Sequence, residues 1–168
     1  FSTAITPIVA EGDAEKNDTK IRSAFHHGLF LCTILGLVLF SVIMFAKPIM
    51  ELLKQPEDVI VLAKPYLGWV AFSLIPLIMY QGYKQFADGM SLTKYSMYAM
   101  VMANVLHVGI NYILIYGILI FPKMGIIGAA RGTVISRIFL VMFMHIMLSR
   151  REDLKRFFKG FSFDEIKK

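Results

Sequence analysis

Chemistry-bearing side chains are few in this sequence, and they fall into short helical registers. Asn104, His107 and Asn111 lie at i, i+3 and i+7, which places them on one face if the run around them is helical. Thr133 and Arg137 are four residues apart on a later run. Ser73, Tyr80 and Lys84 stand at i, i+7 and i+11 of an earlier one, with Gln81 flanking them. Tyr80 and Gln81 are placed to touch a solute, whereas Lys84 serves equally well as an anchor among lipid headgroups. These amides, hydroxyls and cations can hydrogen-bond a solute or an ion, but they do not make a reaction centre. No metal-ligand spacing, nucleophile arrangement or phosphate loop accompanies them, so the chain does not read as an enzyme and needs no cofactor. His26-His27 reads as an interfacial pair rather than a metal site.

The elements that must position these groups are membrane spans. Hydrophobic residues make up 57% of the 168, and charged residues only 18%. Mean hydropathy is +0.62, more apolar than one soluble core of this size needs. A spanning helix takes about 20 apolar residues to cross roughly 30 Å of hydrocarbon. No Asp, Glu, Lys or Arg occurs from Ser23 to Ala46, from Pro65 to Tyr83 (interrupted by Pro76), or from Tyr95 to Pro122. A further stretch, Gly125 to Ser149, is apolar except for Arg131, Arg137 and His145. Phe1 to Ala10 reads as the end of an earlier span. The expected fold is therefore an all-α polytopic transmembrane bundle. Its spans are placed at about 1–10, 23–46, 65–87, 95–119 and 125–148, giving a membrane part at 1–149 and a basic amphipathic linker at 150–168. The single cysteine, Cys32, excludes an internal disulfide framework. A start at Phe1, without the basic leader and cleavage site of a signal peptide, reads as an internal fragment.

The connections orient the spans. Twelve Lys and Arg fall in the loops at 11–22, 84–94 and 150–168, and four in the opposite set, Lys47, Lys54, Lys64 and Lys123. The richer side is read as cytoplasmic. Because the net charge of +6 brackets apolar segments, it points to membrane flanks and not to nucleic acid. Lys47 to Lys64 then becomes an outer connection, read as including a short interfacial helix. Arg150 to Lys168, with Leu154, Phe157, Phe158 and Phe161, has a face suited to the inner leaflet, although an ordinary linker between two halves of a longer protein is the preferred reading. Asp88-Gly89 reads as a turn.

Depth follows from the helical rise of about 1.5 Å per residue. From outer ends near Leu119 and Gly125, Asn111 and Thr133 should both lie about 12 Å deep, and His107 and Arg137 about 18 Å deep. An arginine facing lipid at midplane costs at least about 2.5 kcal/mol, so Arg137 should face a cavity or a partner. Arg131 lies nearer the outer surface and can snorkel. Small residues at every fourth position, Gly28-Cys32-Gly36 and Gly128-Gly132-Ser136, read as helix-packing stripes. No Asp or Glu lies mid-membrane, so any coupling carboxylate must come from elsewhere in the protein.

Several strings resemble, in order, the multidrug and toxic compound extrusion (MATE) transporters. Phe1 to Ala10 resembles the end of their second helix. Gln55-Pro56 with Ala63-Lys64-Pro65-Tyr66-Leu67 resembles the entry to the fourth, and Lys84 to Gly89 the loop that follows it. Asn104 to Tyr112 with Tyr116-Gly117 resembles helix five, and Gly125 to Arg137 helix six. The resemblance implies a twelve-helix protein of two lobes, of which this chain would be the end of helix two through helix six. It implies exchange of drugs or organic cations for Na⁺ or H⁺, and residence in a bacterial inner membrane with the linker cytoplasmic. It also implies that His107 and Asn111 occupy a helix-five polar pair at a cation site, with the Thr133 hydroxyl beside them. His107 departs from the family, where Asn with Asn or Asp is commoner. Alternatives are a lipid-linked oligosaccharide flippase of the same superfamily and a non-transporting membrane scaffold. The candidate cavity residues are thus His107, Asn111, Thr133, Arg137, Asn104, Tyr80 and Gln81.

Overall fold

A computed structural model describes residues 5–46, 48, 56–118 and 122–158. Its helices are α1 (Ile5–Ala14), α2 (Asp18–Ala46), α3 (Glu57–Gly89), α4 (Thr93–Tyr116), α5 (Gly125–Ser149) and α6 (Lys155–Phe158). Among the described residues, α2, α3, α4 and α5 are long and apolar enough to cross a membrane. In hydrocarbon each backbone N–H and C=O must be satisfied within its own helix, and this drives such continuous runs into helices. The outward side chains agree with a lipid solvent: Leu37, Val38, Val42 and Phe45 of α2 are all exposed.

The chain goes up and down. α3 is central, with α2 against one side and α5 against the other, while α4 packs mainly on α5. The short α1 lies across α2 and α3. The ends of α1, α3 and α5 and the starts of α2 and α4 gather on the side where Lys and Arg are concentrated, here called the basic end.

Close approach is made by the small-residue stripes. A Cβ on Gly36 would stand 3.1 Å from the Ile75 Cα, and one on Gly128 would stand 2.6 Å from the Leu114 carbonyl oxygen. The α4–α5 connection is equally tight. Gly117 caps α4 with φ 71°, in the left-handed region, and its N–H donates to the Ile113 carbonyl at 3.0 Å. The Met124 N–H returns to the Leu114 carbonyl at 3.1 Å. This sharp reversal holds the two helices in register.

Three expected boundaries move. α3 starts at Glu57, so residues 57–64 are the first turns of the spanning helix and not a separate interfacial one. Glu57 and Asp58 occupy its first turn, where carboxylates complement the helix dipole, and charge there is no obstacle to helix. α4 ends at Tyr116, short of Leu119, which lies outside the described residues, as do 47, 49–55 and Phe161. Asp88 and Gly89 remain helical, and the turn comes at Met90 to Leu92, where Ser91 has φ 58°. Gly89 serves packing instead: Val9 and the Thr6 carbonyl of α1 crowd the place a Cβ would take.

The start of the tail does not follow the leaflet-lying alternative. Leu154 and Phe157 are each 1% exposed and pack into the bundle, not along a leaflet. Phe157 meets Phe86 with ring centroids 6.0 Å apart, and Phe158 meets Phe25 at 5.2 Å. Aromatic rings of α2 and α3 receive these side chains.

Candidate functional site: a polar cavity between α3, α4 and α5

The three helices border a half-open cavity of about 320 Å³. Leu77, Tyr80 and Gln81 of α3 line it, with Met100, Ala103, Asn104 and His107 of α4. Thr133, Ser136, Arg137 and Leu140 of α5 complete the wall. Six of the seven residues named from the sequence border it. Asn111 does not; it lies one turn beyond His107, against Gly132.

Helix pairing sets the polar contacts. His107 Nε2 lies 3.3 Å from Thr133 Oγ1 and 2.9 Å from Asn111 Nδ2. Thr133 Oγ1 in turn donates to the Ala129 carbonyl at 2.9 Å. The trio therefore has two proton arrangements. With Nε2 unprotonated, it accepts from the Asn111 amide. With Nε2 protonated, it donates to Thr133 Oγ1, whose own proton is held by Ala129. The position of one proton thus decides which neighbour His107 holds. Asn111 Oδ1 is buried with no hydrogen-bond partner, leaving a carbonyl oxygen available beside this proton-bearing ring.

The sequence paired His107 with Arg137 in depth, and Asn111 with Thr133. The structure pairs His107 with Thr133. Counted from the observed ends at Tyr116 and Gly125, His107 and Thr133 lie at nearly equal depth, and so do Asn104 and Arg137. Most of a turn was lost by placing the end of α4 at Leu119.

Arg137 reaches the other way, across to α3, and its guanidinium donates to Ser73 Oγ at 2.5 Å. Ser73 is fully buried. In the sequence it stood out only as a member of the Tyr80 face; a hydroxyl two turns outward of Tyr80 was the available signal. Tyr80 is 2% exposed, and its hydroxyl donates to the Ser96 carbonyl at 3.1 Å. It shapes the wall while its polar atom is already engaged. Gln81 and Asn104 also line the cavity. Ser136, read from sequence as a packing residue, also lines it, with its hydroxyl donated to the Gly132 carbonyl at 2.8 Å. Lys84 is not part of the lining. Arg131 lies outside this cavity, with its guanidinium 5.2 Å from the centre of the Trp69 ring, so a cation–π contact adds to whatever snorkelling provides.

Comparisons with known proteins agree with this architecture. Residues 1–113 match the family described as MatE. The Streptococcus pneumoniae (strain ATCC BAA-255 / R6) protein named "Probable multidrug resistance protein NorM" is 30% identical over 154 residues, covering 91% of this chain and 34% of its own. The "Multidrug resistance protein NorM" of Vibrio cholerae is 27% identical over 150 residues, covering 88% of this chain and 33% of its own. The chain thus spans about a third of the length of these relatives. A solved structure described as the inward-facing conformation of a multidrug resistance MATE family transporter has a TM-score of 0.82 at 19% identity, covering 99% of this chain and 38% of that one. It shares the fold.

Proposed function

Since this chain belongs to the MatE family of multidrug efflux transporters, we propose that the protein carrying it is a secondary active antiporter, exporting drugs or organic cations in exchange for Na⁺ or H⁺. It is a multi-pass membrane protein, and in this reading it resides in a bacterial inner membrane with its basic end cytoplasmic. The chain supplies most of one lobe, and alternating access of two such lobes moves the solute. The missing partners of these helices, the rest of that lobe and a second one, belong to the remainder of the protein.

The observation that carries the reading is the His107–Thr133–Asn111 cluster, in which His107 and Thr133 line the cavity and Asn111 stands one turn behind them. It combines an imidazole ring with a buried carboxamide oxygen that lacks a donor. A group of this kind can respond to a proton or hold a small cation through its oxygens, and solute entering the same cavity would sense the change. Binding of either ligand must differ between two conformations for exchange to be coupled.

The test is dye efflux from vesicles containing the full-length protein, driven separately by a Na⁺ gradient and by a pH gradient. Efflux that follows one gradient identifies the coupling ion. Efflux indifferent to both would sink the antiport reading. The triple substitution His107→Ala, Asn111→Ala and Thr133→Ala should abolish coupled efflux; full transport by that variant would reject the site.

A further inference from the structure

Arg137 brings a fixed charge into the cavity that cation exchange does not require. It is half-buried, lines the cavity and has the neutral Ser73 hydroxyl as its hydrogen-bond acceptor. One hydroxyl leaves most of the five guanidinium N–H donors unengaged and supplies no countercharge. The sequence of these spans offers none either: no Asp or Glu occurs from 59 to 87 in α3, in α4, or in α5. The ion pairs of Lys20, Arg151, Lys155 and Arg156 are all at the basic end. A charge this deep is satisfied by water or by a partner in the cavity it faces, and an anion is the partner that would also neutralise it.

The rest of the wall says what that partner is attached to. Leu77, Met100, Ala103 and Leu140 make the lining largely apolar around the single guanidinium. Such a chamber accepts an apolar or aromatic body bearing one acid group, and a carboxylate matches the planar fork of arginine through two parallel hydrogen bonds. His107 and Thr133 stand one turn further along the same wall, at the place where the exporter reading puts proton or cation chemistry. We propose that Arg137 recognises a carboxylate on the transported solute, so that the cavity prefers zwitterionic amphiphiles to purely cationic ones. This deepens the exporter reading and rests on it. The same carboxylate chemistry could also be supplied by another segment of the protein, and the experiment separates the two sources.

The experiment is equilibrium binding to the full-length protein in lipid nanodiscs, read by fluorescence anisotropy. Two probes are used: a rhodamine with a free carboxyl group, and its methyl ester, a cation of otherwise identical structure. The wild type should bind the free acid at least tenfold more tightly than the ester. Arg137→Gln should weaken the acid at least tenfold and leave the ester within twofold. Equal affinity of the wild type for the two dyes overturns the proposal, as does a preference for the acid that survives Arg137→Gln. Loss of both dyes by a folded Arg137→Gln protein also overturns it, because Arg137 would then be paired with the protein's own carboxylate. Should Arg137→Gln fail to assemble, Arg137→Lys keeps the charge but loses the fork; the acid preference should fall severalfold, and an unchanged ratio overturns the proposal. Binding needs no ion gradient. A protein that shows the acid preference but no gradient-driven efflux would therefore refute the antiport reading alone.

Discussion

The basic end of the bundle and its mid-membrane seam are packed on opposite principles. At the basic end the contacts are aromatic and dense: Phe25, Phe86, Phe157 and Phe158 interlock with ring centroids 4.3 to 6.2 Å apart. Tyr83 and His145 continue the cluster, with the tyrosine hydroxyl 3.0 Å from the imidazole. At mid-membrane the contacts are small and polar, and they surround a cavity. The stripe Gly128-Gly132 lets α4 and α5 touch along their outer half, and the cavity lined by His107 and Arg137 lies beyond it. Dense packing of buried rings gives rigidity, while polar groups around a void give binding sites. The difference teaches that this lobe is held at one end so that the middle can stay open.

The largest effect should come from the densely packed end. Phe86 is 0% exposed and touches three other phenylalanines. Phe86→Ala should cost about 3 kcal/mol of stability through the cavity it leaves. Thermal unfolding of the purified protein measures this, and dye affinity of the folded fraction should be unchanged. A variant that melts with the wild type, or binds dye differently while folded, would break the division between a structural end and a binding middle.

The next test applies one substitution twice on the same stripe. Gly128→Ala puts a methyl against the Leu114 backbone, which cannot give way, and should cost about 2 kcal/mol by overpacking. At Gly132 the obstacle is the Asn111 side chain, which can swing aside. Gly132→Ala should therefore cost less stability but disrupt the His107–Asn111 contact, weakening ion-dependent dye efflux. Melting curves and efflux assays should rank the two variants in opposite orders.

Some of this contrast was legible in the sequence, and the reasons are physical. Span number and order follow from charge-free runs, because lipid penalises charge over a fixed length. The α4–α5 pairing follows from a short turn between two such runs. What the sequence could not supply was the height of α4 against α5, since that depends on Gly117 ending the helix one turn before the apolar run does. The burial of Leu154 and Phe157 was hidden for a different cause. An amphipathic basic segment has the same pattern whether its apolar face meets lipid or a gap between helices, and only the arrangement of Phe25 and Phe86 decides. Ser73 as the partner of Arg137 is likewise a matter of helix rotation, which a single sequence leaves free.

A smaller effect is expected from the hydroxyl that joins α5 to His107. Thr133→Val keeps the shape and removes the oxygen, so one hydrogen bond worth about 1 kcal/mol is lost. The concentration of coupling ion giving half-maximal efflux should shift about fivefold, by the rule that 1.4 kcal/mol is a factor of ten. Thr133→Ser should restore the wild-type value. If valine and serine behave alike, the contact at 3.3 Å is mere packing, and the polar seam is smaller than described.

The smallest effect belongs to the charges of the basic end, where Arg151 bridges Asp153 and the Tyr95 hydroxyl at 3.2 Å. Hydrogen bonding from Arg151 holds the Asp153 carboxyl below its ordinary range, against a weaker desolvation that pushes it up. A carboxyl depressed in the folded state adds stability above its unfolded value near about pH 4, and that contribution disappears as pH falls through the folded value. Wild type and Asp153→Asn should therefore differ slightly at neutral pH and converge below about pH 4. Both partners are substantially solvent-exposed, so the neutral-pH difference should not exceed about 1 kcal/mol and should shrink with added salt. If Asp153→Asn instead lowers stability as much as Phe86→Ala, the basic end is clamped by charge, and the contrast between an aromatic end and a polar middle has to be redrawn.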